Sequence, residues 1–201
     1  ETAIDAGATK ANVGGQVELM SGALNEFQDG PTVGSAFLVA TRPAGLHYDY
    51  EVDSYLVAGF YNLQHRLSDG LRVLHSLRLE YLDYDYTNNH IVGNTKDDGT
   101  PCGFGGCLYS RPESRTDSFT NVGARLGVEK DLSAGLLYAS VSSGFRPPQV
   151  TELYRLRGGQ TVADLDSERL TAFEAGFKND AVAVAAFVER TRDFLFRDAD
   201  A

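Results

Sequence analysis

The chain has 201 residues, with 18 Lys and Arg against 28 Asp and Glu, and a net charge of -10. Its length fits one or two domains. The acidic balance argues against a nucleic-acid partner, because phosphate recognition needs a cluster of positive charge on one face. The longest apolar run, Ala181 to Val188, is far shorter than the ~18 residues typical of a membrane-spanning helix. Helical membrane proteins are therefore excluded, whereas a membrane-spanning barrel is not.

Apolar and polar residues alternate along several segments of the chain. From Leu71 to Tyr81 every second residue is mostly apolar, and Arg72, Arg78 and Glu80 occupy positions between them. A period of two is typical of a β-strand with one apolar and one polar face. The other predicted strands are Tyr55–Arg66, Thr120–Val128, Thr171–Phe177 and Ala181–Arg192, of which the first and last alternate less regularly.

Short and long connections alternate along the chain. The short ones are Ser68–Gly70, Lys130–Ser133 and Asn179–Asp180, and the long ones are about Asn25–Glu51, Thr87–Asp117 and Phe145–Asp166. In an up-and-down antiparallel sheet all short turns lie at one end and all long loops at the other, as in outer-membrane barrels. The sequence therefore predicts an all-β fold, an antiparallel up-and-down transmembrane β-barrel segment of about eight long strands.

Strand length favours a membrane barrel over a soluble sheet. Leu71–Tyr86 has the composition of one continuous strand, whereas soluble strands typically have ~5–6 residues and a tilted membrane strand needs ~9–11. The polar face would then line a solvated lumen, and the apolar face would contact lipid. Tyr81, Tyr84 and Tyr86 gather toward one end of this strand, as an aromatic girdle at the membrane interface requires.

Two other architectures remain open at this point. A complete eight-stranded barrel with a structural or adhesion role requires that the first and last strands pair, whereas a partial barrel leaves both edges bare. A soluble β-sandwich binding module requires that protein buries the apolar faces. The residues that distinguish a sandwich from a barrel are Leu77, Leu79, Val122, Leu126 and Phe177.

Cys102 and Cys107 are the two cysteines of the chain. Their spacing favours a small-loop disulfide in an oxidising compartment, with two free thiols as the alternative. A zinc site is disfavoured because the four histidines are scattered without ligand spacing. Asp97–Gly99 lacks the further oxygen ligands of a calcium loop. The sequence thus predicts neither a metal site nor a cofactor.

The C-terminal half contains a set of short motifs in a fixed order. Leu137–Tyr154 reads LYASVSSGFRPPQVTELY, and DLDSER at 164–169 and FEAGFK at 173–178 follow. This order closely resembles the barrel of TonB-dependent outer-membrane receptors. In that family a strand ends in Gly-Phe-Arg-x-Pro, a loop carries Glu-Leu-Tyr, and Leu-x-x-Glu-Arg leads into a strand reading Glu-x-Gly-x-Lys. The resemblance extends more loosely over 48–86 and 102–115.

The resemblance implies a transporter of the bacterial outer membrane and not an enzyme. Residues 1–201 would be a partial receptor barrel, with the plug domain and the remaining strands outside this sequence. The implied partners are outer-membrane lipid, a small-molecule ligand such as a ferric siderophore, and TonB, which would act through parts of the receptor absent here. A heme ligand is disfavoured because no histidine lies between Phe145 and Ser167. No serine sits in a nucleophile-elbow pattern, so catalysis has no support.

We expect ligand contacts at the end of the barrel that carries the long loops, through aromatic faces and charge-assisted hydrogen bonds. The predicted ligand-binding residues are Tyr84, Tyr86, Arg146, Tyr154 and Arg157. Arg146 has a structural alternative as a clamp for loop carboxylates, and the loop around Tyr154 has the alternative of solvated surface. Gly144 would let the strand bend, Pro147 and Pro148 would end its hydrogen-bond ladder, and 148–157 has room for a short helix.

Overall fold

The computed structural model describes residues 1–160 and 164–195. These residues form ten strands and two short helices. The strands are β1 Thr2–Ala6, β2 Thr9–Gln28, β3 Gly45–Ser68, β4 Leu71–Asn88, β5 Tyr109–Ser110, β6 Arg115–Leu132, β7 Gly135–Arg146, β8 Leu156–Arg157, β9 Glu168–Lys178 and β10 Ala183–Arg192. The helices are α1 Ala36–Thr41 and α2 Val150–Leu153.

Eight of these strands form one antiparallel sheet in the order β1-β2-β3-β4-β6-β7-β9-β10. Every neighbour in this sheet is the next long strand along the chain, so the predicted up-and-down topology is confirmed. The short turns β1–β2, β3–β4, β6–β7 and β9–β10 lie at one end, and the long connections lie at the other. Within the described residues β1 and β10 are the two edges and do not pair, so the closure required by a complete eight-stranded barrel is not formed.

The two faces of the sheet differ in chemistry. The outer face carries Leu79 and Leu126, which are 52% and 54% exposed. The opposite, inner face carries Arg72, Ser76 and Arg78 on β4. These two side chains belong to a continuous band of exposed apolar residues on the outer face, which we call the outer band. Hydrocarbon covers such a band in a membrane barrel. The β-sandwich alternative is wrong, because this structure has a single large sheet and Leu79, Val122 and Leu126 are exposed.

The apolar residues change from the outer to the inner face near the long-loop end of the strands. On β4 the outer band ends at Tyr81, after which Leu82 and Tyr86 are buried on the inner face. Asp83 and Asp85 take the outer positions. The same change occurs on β3, where Val52 is buried, and on β6, where Phe119 is buried. The lipid-facing part of β4 therefore runs from Leu71 to Tyr81, which matches the ~9–11 residues that a tilted strand needs to cross a bilayer.

This change of face corrects the girdle prediction. Tyr81 lies on the outer face and is partly exposed, but Tyr84 and Tyr86 lie on the inner face. Side chains alternate along a strand, so Tyr81 cannot share a face with Tyr84 and Tyr86. Aromatic clustering in the sequence was therefore an inadequate guide to the membrane interface on this strand.

The three long connections fold over the inner face at the end where the strands extend beyond the band. We call them together the cap, made of residues 29–44, 89–114, 147–160 and 164–167. Cap residues and inner-face strand residues share one buried cluster. Its members are Tyr48, Tyr50, Val52, Leu82, Tyr86, Cys102, Cys107, Tyr109, Phe119, Leu153 and Tyr154. Within the described residues, the packed core thus lies above the lipid-facing band.

Both helices lie in the cap. α2 falls within the segment predicted to hold a short helix, whereas α1 was not predicted. The hydroxyl of Ser35 caps α1 by accepting a hydrogen bond from the Leu38 amide at 3.3 Å, as N-cap serines do. Neither helix in the described part of the chain has the length and apolar character needed to span a membrane.

The outer band predicts a position-dependent cost for introduced charge. Leu126→Arg should lower the free energy of unfolding in lipid vesicles by about 2–4 kcal/mol, because it places a charge within the hydrocarbon region. Ser118→Arg, on the same face of β6 but beyond the band, should cost about 0–1 kcal/mol. Urea unfolding of the intact protein in phosphatidylcholine vesicles measures both. Equal costs at the two positions would contradict the assigned boundary.

Candidate functional site

Arg146, the last residue of β7, joins three parts of the cap end. Its Nε donates to Glu168 Oε2 at 2.8 Å, and its two Nη atoms donate to the carboxylate of Glu152 at 3.1 Å. Glu152 also accepts a hydrogen bond from the Gln149 amide at 2.7 Å, which caps α2. Arg146 therefore connects the end of β7 to the start of β9 and to α2. This is the clamp for loop carboxylates that sequence analysis gave as the alternative to a ligand-binding role. Its side chain stays 38% exposed.

Glu168 is the acidic anchor of this clamp. Its carboxylate accepts hydrogen bonds from Arg146 and from the Leu195 amide, the latter at 2.6 Å. These bonds favour the ionised form, and together they lower the pKa of Glu168 from 4.5 to about 2. The clamp is therefore fully charged at neutral pH.

Tyr86 and Tyr154 form an aromatic stack that holds the third connection on the inner face. Their ring centroids are 4.2 Å apart with an interplanar angle of 17°, and the side chains are 1% and 0% exposed. The Tyr154 hydroxyl donates to Asp117 Oδ2 at 2.7 Å. Burial, and then this bond, raise the pKa of Tyr154. In this arrangement the two rings contact each other and present no surface to solvent.

Tyr84 and Arg157 complete the set of predicted ligand-binding residues. The half-buried Tyr84 lies beside the stack, with its hydroxyl 3.4 Å from the Pro148 carbonyl oxygen and its ring edge-on to Phe119. Arg157 lies on β8, which pairs with β5. The structure therefore brings Tyr84, Tyr86 and Arg146 of the strands together with Tyr154 of the cap, and places Arg157 on the β5–β8 ladder.

Arg111 is a buried structural centre that the sequence did not reveal. The residue is 1% exposed, and its guanidinium donates to the carbonyl oxygens of His47 at 3.2 Å and Thr95 at 2.7 Å, and also to that of Ile91. The guanidinium also lies 5.3 Å from the ring centroid of Tyr109. These acceptors come from β3 and the second connection, so Arg111 fastens that connection to the sheet. A single arginine in an irregular loop carries no periodic signal, and for that reason its burial could not be predicted.

Glu26, near the end of β2, links the first and third connections. Its carboxylate accepts a hydrogen bond from Arg155 and lies 3.6 Å from Arg42 Nη2 and 3.7 Å from His47 Nδ1. The His47 ring in turn stacks on Tyr109, with centroids 4.3 Å apart. One carboxylate therefore organises basic groups from the first connection, β3 and the third connection.

Cys102 and Cys107 are joined by a disulfide in the second connection. The small loop that it closes docks on α1: the Gly103 amide donates to the Ala40 carbonyl at 3.1 Å, and the Leu108 amide donates to the Thr41 carbonyl at 2.9 Å. Through these bonds the second connection is fastened to the first. Together with the β5–β8 ladder between the second and third connections, they make the cap one interlocked unit.

The acidic turn at Asp97–Gly99 is held by its own neighbours. Asp98 Oδ1 accepts hydrogen bonds from the Thr100 amide at 2.9 Å and from the Thr100 hydroxyl at 2.6 Å. These bonds lower the pKa of Asp98. Among residues 1–160 and 164–195, no group of three or more His, Cys, Asp or Glu side chains is arranged to hold a metal ion.

Comparison with known proteins decides the family. The model of the family described as TonB dependent receptor-like, beta-barrel matches residues 4–201. The chain belongs to this family of TonB-dependent receptors. Family members are receptors and transporters of the bacterial outer membrane. No curated protein matches the chain.

Two solved structures of the family share the fold. The copper transporter OprC aligns with a TM-score of 0.58 and 17% identity, over 93% of this chain and 28% of its own. The ferric-catecholate import receptor Fiu from E. coli K12, in its closed form, aligns with a TM-score of 0.57 and 15% identity, over 94% of this chain and 29% of its own. The chain thus spans less than a third of the length of either receptor.

The Arg146 clamp predicts an unusual acid titration. Because the pKa of Glu168 is lowered by folding, the carboxylate stabilises the clamp fully above pH 4.5 and loses this contribution as the pH falls toward 2. A carbon-13 NMR titration of Glu168 should therefore show a midpoint near pH 2. Arg146→Met should move the midpoint up toward 4.5, whereas Arg125→Met on the inner face of β6 should leave it unchanged. A midpoint near 4.5 in the unmodified protein would refute the clamp.

The disulfide should order the loop that docks on α1. Replacing both cysteines by Ser should destabilise the docked loop by about 2 kcal/mol, since the bond removes closure entropy from a short loop. Hydrogen exchange at the Gly103 and Leu108 amides should then accelerate about 10-fold or more. Treatment with a thiol reductant should reproduce this change in the unmodified protein and have no further effect on the double variant. Unchanged exchange at both amides would show that docking is independent of the bond.

Proposed function

We propose that this chain is a barrel portion of a longer outer-membrane TonB-dependent receptor that takes up a scarce nutrient, with a ferric siderophore as the favoured cargo. In this proposal the outer band contacts outer-membrane lipid and the cap faces the exterior. Ligand first contacts the cap and the inner face. TonB then drives passage through parts of the receptor outside residues 1–201.

The main support for this proposal is the position of the cap relative to the outer band. The lipid-facing residues end at Tyr81, and beyond them the cap packs on the same face that carries Arg72, Ser76 and Arg78 further down β4. A ligand that passes the cap therefore meets a polar wall rather than hydrocarbon. This is the arrangement that a transport barrel requires.

Three exposed arginines at the cap end are the groups that would bind an anionic cargo. Arg42, Arg146 and Arg155 are each more than a third exposed, and each already holds a carboxylate of the chain. An anionic ligand can replace such a carboxylate as the bidentate partner of a guanidinium. Among the predicted residues, Arg146 and Arg157 would supply charge and Tyr84 an aromatic edge. Tyr86 and Tyr154 would contact ligand only if the third connection moved away from the inner face.

The names of the two similar structures offer two cargoes, copper and a ferric catecholate. A copper ion prefers His, Cys or Met ligands. This chain has one Met, both of its cysteines are in the disulfide, and among the described residues its histidines belong to no group of three or more His, Cys, Asp or Glu that could hold a metal ion. An anionic iron chelate, in contrast, fits the exposed arginines. The iron chelate is therefore the cargo that we propose.

Uptake of a radiolabelled ferric catecholate by cells that carry the intact receptor tests this function. Uptake should require TonB, whereas surface binding should not. Arg157→Ala should weaken binding about 10-fold, the effect of losing one charge-assisted hydrogen bond, and Arg157→Lys should lose less. Lys178→Ala, at the short-turn end, is the matched control and should bind normally. TonB-dependent uptake of copper ions without uptake of any iron chelate would overturn the assigned cargo.

A further inference from the structure

The outer band continues from β6 across β7, β9 and β10. Leu126 pairs with Val141 of β7, and Val141 pairs with Phe173 of β9. Phe173 in turn pairs with Val188 of β10. Directly opposed residues lie on the same face of a sheet, and Phe173 and Val188 are 53% and 71% exposed. On β9 and β10 these two residues are the last apolar side chains of the outer face before the cap end.

Arginines take the outer positions beyond these two residues. Because side chains alternate along a strand, the next outer residues toward the cap are Thr171 and then Arg169 on β9. On β10 they are Arg190 and then Arg192. Arg192 pairs directly with Arg169, and Arg190 pairs with Thr171. All three arginines are exposed, and we call them the arginine cluster.

The arginine cluster has no counter-charge in the described part of the chain. Directly opposed residues have Cβ atoms ~4.5–5.5 Å apart, and like charges at such positions are unfavourable. Among the described residues none of the three guanidiniums forms an ion pair. Asp166 and Asp193 line a cavity together with Arg169, but neither is in an ion pair with it. An anion bound between the two strands would remove this repulsion.

The arginine cluster lies at the level of the lipid head groups. Two residues advance ~6.6 Å along a strand, which is ~5 Å in height at a tilt of ~45°. Arg190 is therefore ~5 Å beyond Val188, and Arg169 and Arg192 are ~10 Å beyond the last apolar residues. The head-group layer on each side of a bilayer is ~5–8 Å thick. Arginine side chains are long enough to bend toward the layer that holds their counter-ion.

The position and the charge of the cluster together identify its partner. A guanidinium binds a phosphate through two parallel hydrogen bonds, and basic groups beside the bilayer attract anionic lipids. On β3 and β4 the outer positions just beyond the band carry Asp53, Asp83 and Asp85 instead, which repel a phosphate. We propose that the arginine cluster binds the head-group phosphate of an anionic lipid in the leaflet at the cap end.

This inference names a partner for the outer surface and rests on one part of the proposed function, the contact of the outer band with membrane lipid. It does not depend on the cargo. Lipid binding and iron-chelate uptake are measured separately, so either can fail without the other. The cluster is also separate from the arginines proposed to meet the cargo, which lie at the cap.

Native mass spectrometry of the intact receptor in detergent tests the site, by titration with phosphatidylglycerol or phosphatidylcholine of the same acyl chains. The first phosphatidylglycerol should bind at least 10-fold more tightly than the first phosphatidylcholine. Arg169→Gln and Arg192→Gln should each weaken phosphatidylglycerol binding about 5-fold, the effect of one basic residue beside a bilayer. Arg169→Lys should lose less, because it keeps the charge and loses only the planar fork.

Arg125→Gln is the matched control, since Arg125 is an exposed arginine on the inner face of β6. It should bind phosphatidylglycerol like the unmodified protein. Equal affinity of the unmodified receptor for both lipids would overturn the site, as would equal losses in Arg125→Gln and Arg169→Gln. Displacement of phosphatidylglycerol by inorganic phosphate at constant ionic strength would overturn the lipid as the occupant. Binding of neither lipid would contradict both the site and the lipid contact of the outer band.

Discussion

The change of face at Tyr81 and Leu82 is the constraint on which the rest of the structure depends. In hydrocarbon every backbone group needs a partner within the sheet, and the side chains that face lipid have to be apolar. The outer band satisfies both demands up to Tyr81. Beyond it the strands stand in water, so the outer positions carry Asp83 and Asp85 and the apolar residues move to the inner face.

The cap exists because this inner apolar surface needs a cover. Leu82, Tyr86 and Phe119 would be exposed to water on bare strands, and the second and third connections pack with them in one buried cluster. The Tyr86–Tyr154 stack and the Arg146 clamp fix the third connection, while Arg111 and the disulfide loop fix the second. Under the proposed function, the part of the chain that packs as a core is also the part that an incoming ligand would meet first.

The net charge of -10 does not show that arginines paired with carboxylates lie exposed at the cap end. Exposed arginines each hold a carboxylate of another segment: Arg146 of β7 holds Glu152 of α2, and Arg155 of the third connection holds Glu26 of β2. Such pairs are individually weak at a surface, but here each pair joins two segments. Exchange of a chain carboxylate for a ligand anion would therefore couple ligand binding to the contacts between the connections.

The sequence by itself determined the antiparallel up-and-down order and the lipid-facing residues of the strands that it predicted, because a period of two and turn residues are local signals. It named no strand before Tyr55, where β1, β2 and the first part of β3 lie. It also placed Arg146 and Tyr154 at the cap end through the Gly-Phe-Arg motif and its spacing. Only the tertiary structure decided that Tyr86 is buried rather than interfacial, that Arg111 anchors a loop, and that Glu26 links the first and third connections. These depend on how distant connections fold back on the inner face, and no local pattern in an irregular loop encodes such contacts.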